Sequence, residues 1–348
     1  MTLVPLEPLE RLVLRSTGHL PERIVPMPGG ASTRCFYRVS FGAGRTAIGM
    51  YVPDATRPDE IVKTDEAGRR WPFLEVRDLL AARAVRVPSV LGEACEDGFV
   101  LVEDLGDDTL AQHLLREPAR RVVLYQAAVR DLARAQGALS ELPLGSIVSQ
   151  RAFDEDLLRW EVDHFREWAL EGRGITLSSD QHALFDASAA YLAHTIAAWP
   201  RGFVHRDYQS RNLMVRARDD GQPELFWIDF QDALLGPRVY DLVALLNDSY
   251  QTFEREFIEA RLDEYARELG LDAAGRAEVG RQFDIVTVQR KLKDAGRFVF
   301  IDRVKKNPSF LQFVEPTIKK ARGALERLGD DPALAQLTAL LDALPAQA

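Results

Sequence analysis

The sequence predicts an α+β protein of two lobes: a small N-terminal antiparallel β-sheet lobe over residues 1–105 and a large, mainly α-helical lobe over 106–348. Three observations predict it. Short β-rich runs separated by turn residues fill the N-terminal part, and apolar residues at three- and four-residue spacing dominate beyond Gly106. One pair of short apolar strands interrupts that helical half.

Taken in order, Leu6, Leu9, Leu12 and Val13 recur at helical spacing, and Gly18 supplies a stop. Residues 24–27 read as a strand, 28–34 as a turn and 35–39 as a second strand. A third follows over 46–51, across Gly42-Ala43-Gly44. Residues 53–71 are charged and poorly periodic, a loop with some helix. Pro72 then opens a helix at the position where its missing N–H matters least, and Phe73, Val76, Leu79 and Leu80 form its stripe. Residues 98–103 form the next strand, which ends in a hinge at Glu103-Asp104-Leu105-Gly106. Helices follow over 122–138, 153–170 and 181–199. Strands at 213–215 and 225–228 flank the polar stretch 218–223, and helical periodicity resumes from Val239 almost to the end.

Charge and composition exclude several classes. Lys and Arg number 44 against 53 Asp and Glu, a formal net charge of -9. Nucleic acid, whose binding rests on cationic contacts to phosphate, is therefore not the expected partner. Cys35 and Cys95 lie outside any Cys-x-x-Cys spacing and read as two reduced thiols, not as zinc ligands or a disulfide framework. Residues 1–10 are too acidic and proline-broken for a secretory signal, and no apolar run approaches the roughly 20 residues of a membrane helix. The expectation is a cytoplasmic protein with no membrane partner and no obligate protein partner.

The chemistry concentrates around the strand pair. His205-Arg206-Asp207-Tyr208-Gln209-Ser210-Arg211-Asn212 precedes its first strand, and Asp229-Phe230-Gln231-Asp232 follows its second. In an antiparallel pair, the residue before strand one and the residue after strand two lie at the same end. Asn212 and Asp229 then offer an amide oxygen and carboxylate oxygens, which suit Mg²⁺, a hard cation. Asp207 projects from the same loop. Phosphoryl transfer calls for this set, because its loose transition state needs an oriented nucleophile and neutralised charge more than covalent help. Asp207 would be the catalytic base.

The run His205-Arg206-Asp207 with Asn212, then Ile228-Asp229-Phe230 and Asp232, resembles the aminoglycoside phosphotransferase and choline kinase group, within the protein-kinase-like superfamily. That resemblance implies a protein-kinase-like two-lobed fold, ATP and Mg²⁺ as cofactors, Asp207 as base, and Asn212 and Asp229 as metal ligands. It also implies that Asp241 holds the catalytic loop through backbone hydrogen bonds, with His205 as further support. The competing reading of Asp241 is an acid at a helix N-terminus. Gly29, Gly30, Ala31, Ser32, Thr33 and Arg34 lie between two predicted strands, where backbone N–H groups can approach ATP phosphates; a plain hairpin turn is the alternative. Glu103 and Leu105 in the hinge would meet adenine.

One departure stands out. The family's lysine on the third strand is replaced by Met50, so Arg34 or Lys63 substitutes, or the site runs without that contact. A kinase-like nucleotide-binding module without activity is the reading from a different class. Retention of Asp207, Asn212 and Asp229 argues against it.

The same methionine-containing strand, with Gly30-Ala31-Ser32-Thr33-Arg34-Cys35-Phe36-Tyr37, is similar to the bacterial anomeric kinases of N-acetylmuramate and N-acetylglucosamine. Val102-Glu103-Asp104-Leu105-Gly106, Tyr240-Asp241-Leu242-Val243 and Gln289-Arg290-Lys291-Leu292-Lys293 continue the likeness, from about Pro28 to Lys293. Residues 54–71 depart from it, being longer and more charged. The resemblance implies transfer to the C1 hydroxyl of an amino sugar in cell-wall recycling. Gln231 and Asp232 would bind sugar hydroxyls or the metal's water. Arg290 and Lys293, three apart on one helix face, would meet the lactyl carboxylate of N-acetylmuramate or else form a solvated basic face. Gln209 and Arg211 serve either the loop's structure or the substrate.

Rival acceptors are aminoglycosides, choline or ethanolamine, and homoserine. A quaternary amine would need an aromatic cage. The spacing of Trp160, Phe165 and Trp168 fits core packing instead.

Overall fold

The computed structural model describes residues 4–28, 34–53, 71–218, 221–329 and 331–343, and its chain divides into two compact units. The predicted loop over Gly29 to Thr33 and most of the charged stretch, Lys63 included, lie outside the described residues.

The first unit holds residues 1–116 and 213–232. Its helices are α1 (Glu7–Thr17), α2 (Pro72–Ala81) and α3 (Leu110–Arg116), and its main strands are β1 (Pro21–Pro26), β2 (Cys35–Phe41), β3 (Arg45–Tyr51), β4 (Val90–Ala94) and β5 (Phe99–Glu103). The strands form one antiparallel sheet in the order β1-β2-β3-β5-β4. Both faces are covered. Leu9, Leu12 and Val13 of α1 pack with Val39, Ala47, Phe99 and Leu101, while Leu74 of α2 packs with Met50, Val100 and Val102. Burial on both sides explains why these strands lack a clean polar alternation. Gly49 faces α1 so closely that a Cβ would lie 2.7 Å from Leu9 Cδ1. Gly18 ends α1 in the left-handed conformation (φ 73°), its N–H donating to Leu14 O.

The rest of this unit is a ribbon of β7 (Leu213–Ala217) and β8 (Pro223–Trp227). Its register pairs Leu213 with Trp227, so chain continuity puts residues 212 and 228 at one end of it. Arg86 fastens the ribbon, its Nε donating to Leu225 O (2.8 Å) and its carbonyl accepting from Trp227 N–H (2.9 Å).

The second unit holds residues 117–212 and 233–348. It comprises α4 (Arg121–Ala138), α5 (Glu155–His164), α6 (Ser179–Ala197), β6 (Arg201–Val204), β9 (Leu234–Pro237), α7 (Val239–Leu246), α8 (Arg255–Glu268), α9 (Ala273–Lys305), α10 (Val314–Arg327) and α11 (Pro332–Ala343). The long α9 runs through the middle, against α5, α7, α8 and α10. Gly296 permits this approach, since a Cβ there would meet His164 O at 2.2 Å.

Helix starts follow capping chemistry. Asp154 accepts from Leu157 N–H (2.8 Å), which begins α5 after Phe153 and not at it, as the periodicity had suggested. Ser178 and Gln181 form a capping box at α6. A π-helical turn, Phe165–Leu170, prolongs α5.

Three strands escape the sequence pattern. β4, β6 and β9 are four or five residues long, too short to show a period. β6 and β9 pair with each other across 30 residues of chain, and Gly236 on β9 lets Phe153 lie where its Cβ would stand. Among the aromatics assigned to packing, Phe165 is buried, but Trp160 is exposed and lies edge-on to His164.

Candidate active site

The loop after β6 is built from buried contacts within the second unit. Arg206 adopts a left-handed conformation (φ 79°), unfavourable for a residue with a Cβ and held only by strong surroundings. Asp241, at the start of α7, supplies them. Its carboxylate accepts from the backbone N–H groups of His205 (2.7 Å) and Arg206 (3.0 Å). Burial pushes the Asp241 carboxyl up to about 7, against the downward pull of those two hydrogen bonds. His205 is buried, and its Nδ1 accepts from Asp207 N–H (3.3 Å). Tyr208 hydroxyl donates to Ala128 O, which anchors the loop to α4.

Beneath the loop lies a charged lattice. Glu161 on α5 is 0% exposed, and Arg206 Nη2 pairs with its Oε1 at 3.2 Å. Its Oε2 accepts from Gln289 Nε2 (3.0 Å) and the Tyr240 hydroxyl (3.3 Å). Arg290, 3% exposed, donates through Nη1 to Arg206 O (2.7 Å) and through Nη2 to Asp207 Oδ1 (3.2 Å). Its guanidinium also covers the Tyr240 ring, 4.7 Å from the centroid. Burial pushes the Asp207 carboxyl up, yet Arg290, Lys293, Arg206 and His205 together pull it below its ordinary value of 3.8. Those neighbouring charges favour the ionised form of Asp207.

Arg290 and Lys293 do share a face of α9, but Arg290 is buried and Lys293 half-buried, so the face is not a solvated basic one. Lys293 Nζ lies 3.5 Å from Asp294 Oδ1. Neighbouring acids hold Lys293 protonated against burial.

Asn212 Nδ2 donates to Asp207 O (2.9 Å), so the amide oxygen is the end left to face a cation. In the first unit, Asp229 stands two residues beyond β8 with φ 64°, a second non-glycine residue in the left-handed region. Arg34 Nη1 lies 3.6 Å from Asp229 Oδ1, and Arg34 Nη2 lies 3.9 Å from Asp232 Oδ2. Gln231 Nε2 donates to both carboxylates (2.9 and 3.2 Å). Phe230 between them is buried, stacked on Phe73 at 5.2 Å. Asn212 through its amide oxygen and Asp229 through its carboxylate each offer the oxygen donor that Mg²⁺ prefers, as the sequence led one to expect. Among the described residues, no group of three or more His, Cys, Asp or Glu is arranged to hold a metal.

Met50 is 1% exposed in an apolar cluster with Leu74, Val100 and Val102, where a lysine ammonium would be buried among hydrocarbon. The cation beside Asp229 is Arg34 instead. In the segment predicted as a hinge, Glu103 N–H donates to Ser89 O (2.8 Å) and its carboxylate accepts from Ser89 N–H (3.1 Å) and pairs with Arg216. Leu105 is buried.

Sequence reasoning passed over Glu161, Asp248 and Tyr250, and gave Gln289 no role of its own. For Glu161 a signal was present: it interrupts the apolar stripe Leu158, Val162, Phe165. A charged residue on a buried stripe calls for a partner.

A sequence model described as the phosphotransferase enzyme family matches residues 23–279. An N-acetylmuramate/N-acetylglucosamine kinase of Pseudomonas aeruginosa is 31% identical over 330 residues, 93% of this chain and 89% of that protein. One of Neisseria meningitidis bearing the same name is 33% identical over 77% of this chain and 75% of its own length. Among solved structures, an amicoumacin kinase in complex with AMP-PNP, Ca²⁺ and Ami superposes with a TM-score of 0.60 at 14% identity, covering 91% of this chain and 92% of that one. The structural likeness gives the fold: two-lobed, α+β and protein-kinase-like. No described helix is long and apolar enough to cross a membrane.

Proposed function

This chain belongs to the phosphotransferase enzyme family, and from that membership we propose that it transfers the γ-phosphoryl group of ATP to the anomeric C1 hydroxyl of N-acetylmuramate or N-acetylglucosamine. Residues 1–105 form the ATP-binding lobe in this reading, and 106–348 the catalytic and acceptor lobe. Besides the likeness to amino-sugar kinases along most of the chain, one observation carries it: a buried loop presents Asp207 as a fixed, ionised carboxylate.

Asp207 accepts the proton of the C1 hydroxyl as that oxygen bonds to the γ-phosphorus. The bond from the γ-phosphorus to the bridging oxygen breaks, and ADP leaves with the electron pair. A carboxylate held below its ordinary pKa is a feeble base, and two features reconcile it with the task. The transition state is loose, so orienting the nucleophile matters more than early deprotonation. A hemiacetal hydroxyl is also more acidic than an ordinary alcohol, because the ring oxygen withdraws electron density. Asn212 and Asp229 would hold Mg²⁺, which when bound neutralises triphosphate charge. The nucleotide would lie along residues 29–34, with adenine at Glu103 and Leu105. Arg34 takes the place of the third-strand lysine as the cation of that lobe.

A transfer assay with γ-labelled ATP and a panel of acceptors tests the reading. Label should pass to the two N-acetyl sugars ahead of aminoglycosides, ethanolamine, choline or homoserine. Binding of ATP with no transfer to any acceptor favours the inactive module instead, a reading that Met50 keeps in view.

A further inference from the structure

The catalytic loop carries a second cation that phosphoryl transfer leaves unused. Arg211 is exposed, one residue before Asn212, and its guanidinium lies only 3.5 Å from the centroid of the Tyr250 ring. No carboxylate among the described residues pairs with it. By contrast, Arg206 and Arg290 in the same neighbourhood are both paired and buried.

The pair is built, not incidental. Asp248, 1% exposed, accepts through Oδ2 from both the N–H and the hydroxyl of Ser210 (3.1 and 2.5 Å), and through Oδ1 from Tyr250 N–H (2.9 Å). One buried carboxylate therefore fixes the neighbour of Arg211 and the backbone of Tyr250 together. Asn212, on the other side of Arg211, is fixed through its amide to Asp207 O. Phe313 supports the Tyr250 ring edge-on at 4.9 Å. Lys291 Nζ donates to Ser249 Oγ (3.0 Å) and to Asp294 Oδ2 (2.7 Å), and Asp294 lies 3.9 Å from Arg290 Nε. The Arg211–Tyr250 pair and the base Asp207 thus rest on one framework along α9.

A guanidinium with its face on a ring has its N–H edge turned outward. That edge matches a carboxylate in a planar, two-point fashion, which a lysine ammonium cannot reproduce. We infer that Arg211, held flat on Tyr250, receives the carboxylate of an acidic acceptor sugar and sets the preference between a carboxylate-bearing and a neutral amino sugar. The inference rests on the amino-sugar reading above and assigns the acid-binding role to Arg211, since Arg290 is committed to Asp207 and Arg206.

Steady-state kinetics of Arg211→Gln, Arg211→Lys and Tyr250→Leu with both sugars test it, with thermal melts to verify folding. For Arg211→Gln, the ratio of kcat/KM for N-acetylmuramate to that for N-acetylglucosamine should fall about 10- to 100-fold, the size of a lost charge-assisted hydrogen bond. Arg211→Lys and Tyr250→Leu should give smaller falls in the same direction. A ratio unchanged within about twofold in Arg211→Gln overturns the inference, whether both sugars lose equally or only KM for ATP rises. Wild-type protein that phosphorylates neither sugar overturns the functional reading and this inference with it.

Discussion

Arg290 Nη2 lies 3.2 Å from Asp207 Oδ1, and the same guanidinium donates to the carbonyl of Arg206, one residue before that aspartate. A single buried cation on α9 thereby fixes both the backbone and the side chain of the loop that carries the proposed base. It also biases that base toward its ionised form.

Replacing Arg290 should act on chemistry more than on nucleotide binding. Arg290→Gln should lower kcat by about 10²-fold or more while KM for ATP changes little. Removing the nearby positive charge lets burial raise the Asp207 carboxyl, so the acid limb of the kcat–pH profile should move to higher pH. Arg290→Lys should restore part of both effects. An acid limb unmoved in a folded Gln variant would deny Arg290 this role.

Asp207→Asn keeps the shape and removes the proton acceptor. Turnover should fall by about 10³-fold or more, with ATP affinity by calorimetry close to wild type. Near-normal turnover would remove Asp207 from the mechanism.

Glu161 tests the lattice below the loop. Its carboxylate pairs with Arg206 and accepts from Gln289 and Tyr240 in a site shielded from water. Glu161→Leu removes the carboxylate that faces the buried Arg206 guanidinium and should destabilise the protein by about 3–5 kcal/mol in urea titrations. A loss within about 0.5 kcal/mol would mean that the pair adds little beyond packing.

Lys320 gives a pH test. Its Nζ donates to the carbonyls of Asp248 and of Gln251 (2.6 Å), and burial, reinforced by Lys291, lowers its pKa from 10.5 to about 7. Neutral lysine still has a donor for each carbonyl, so loss of the proton sacrifices neither bond. Between the two pKa values the unfolded chain binds more protons than the folded one, so this contribution rises with pH across that window and is lost as pH falls through about 7. Lys320→Met should therefore show a smaller gain in Tm between about pH 7 and 9 than wild type. Parallel pH profiles for the two proteins would contradict it.

Much of this is legible in the sequence. The ribbon's two strands are bracketed by polar turns and by the two acidic motifs, so local pattern suffices to locate Asn212 and Asp229 at its ends. Met50 could be recognised as a departure, but its place in a core with Leu74 and Val100 depends on which face of β3 meets α2. The lattice of Glu161, Gln289 and Arg290 joins positions 128 residues or so apart, and periodicity carries no information on such pairing. β6 and β9 were missed for the same reason: each is four residues long and finds its partner far along the chain. Arg211 was visible as a motif residue, while its counterpart Tyr250 became apparent only through the fold.

Proton–phosphorus NMR of the product formed from ATP, Mg²⁺ and an N-acetyl amino sugar addresses the central claim most directly. The account predicts a sugar phosphate whose phosphorus couples to the anomeric proton, absent when Asp207→Asn replaces the wild type. Phosphorus on any other sugar position, or ATP consumed with no sugar phosphate formed, would contradict it.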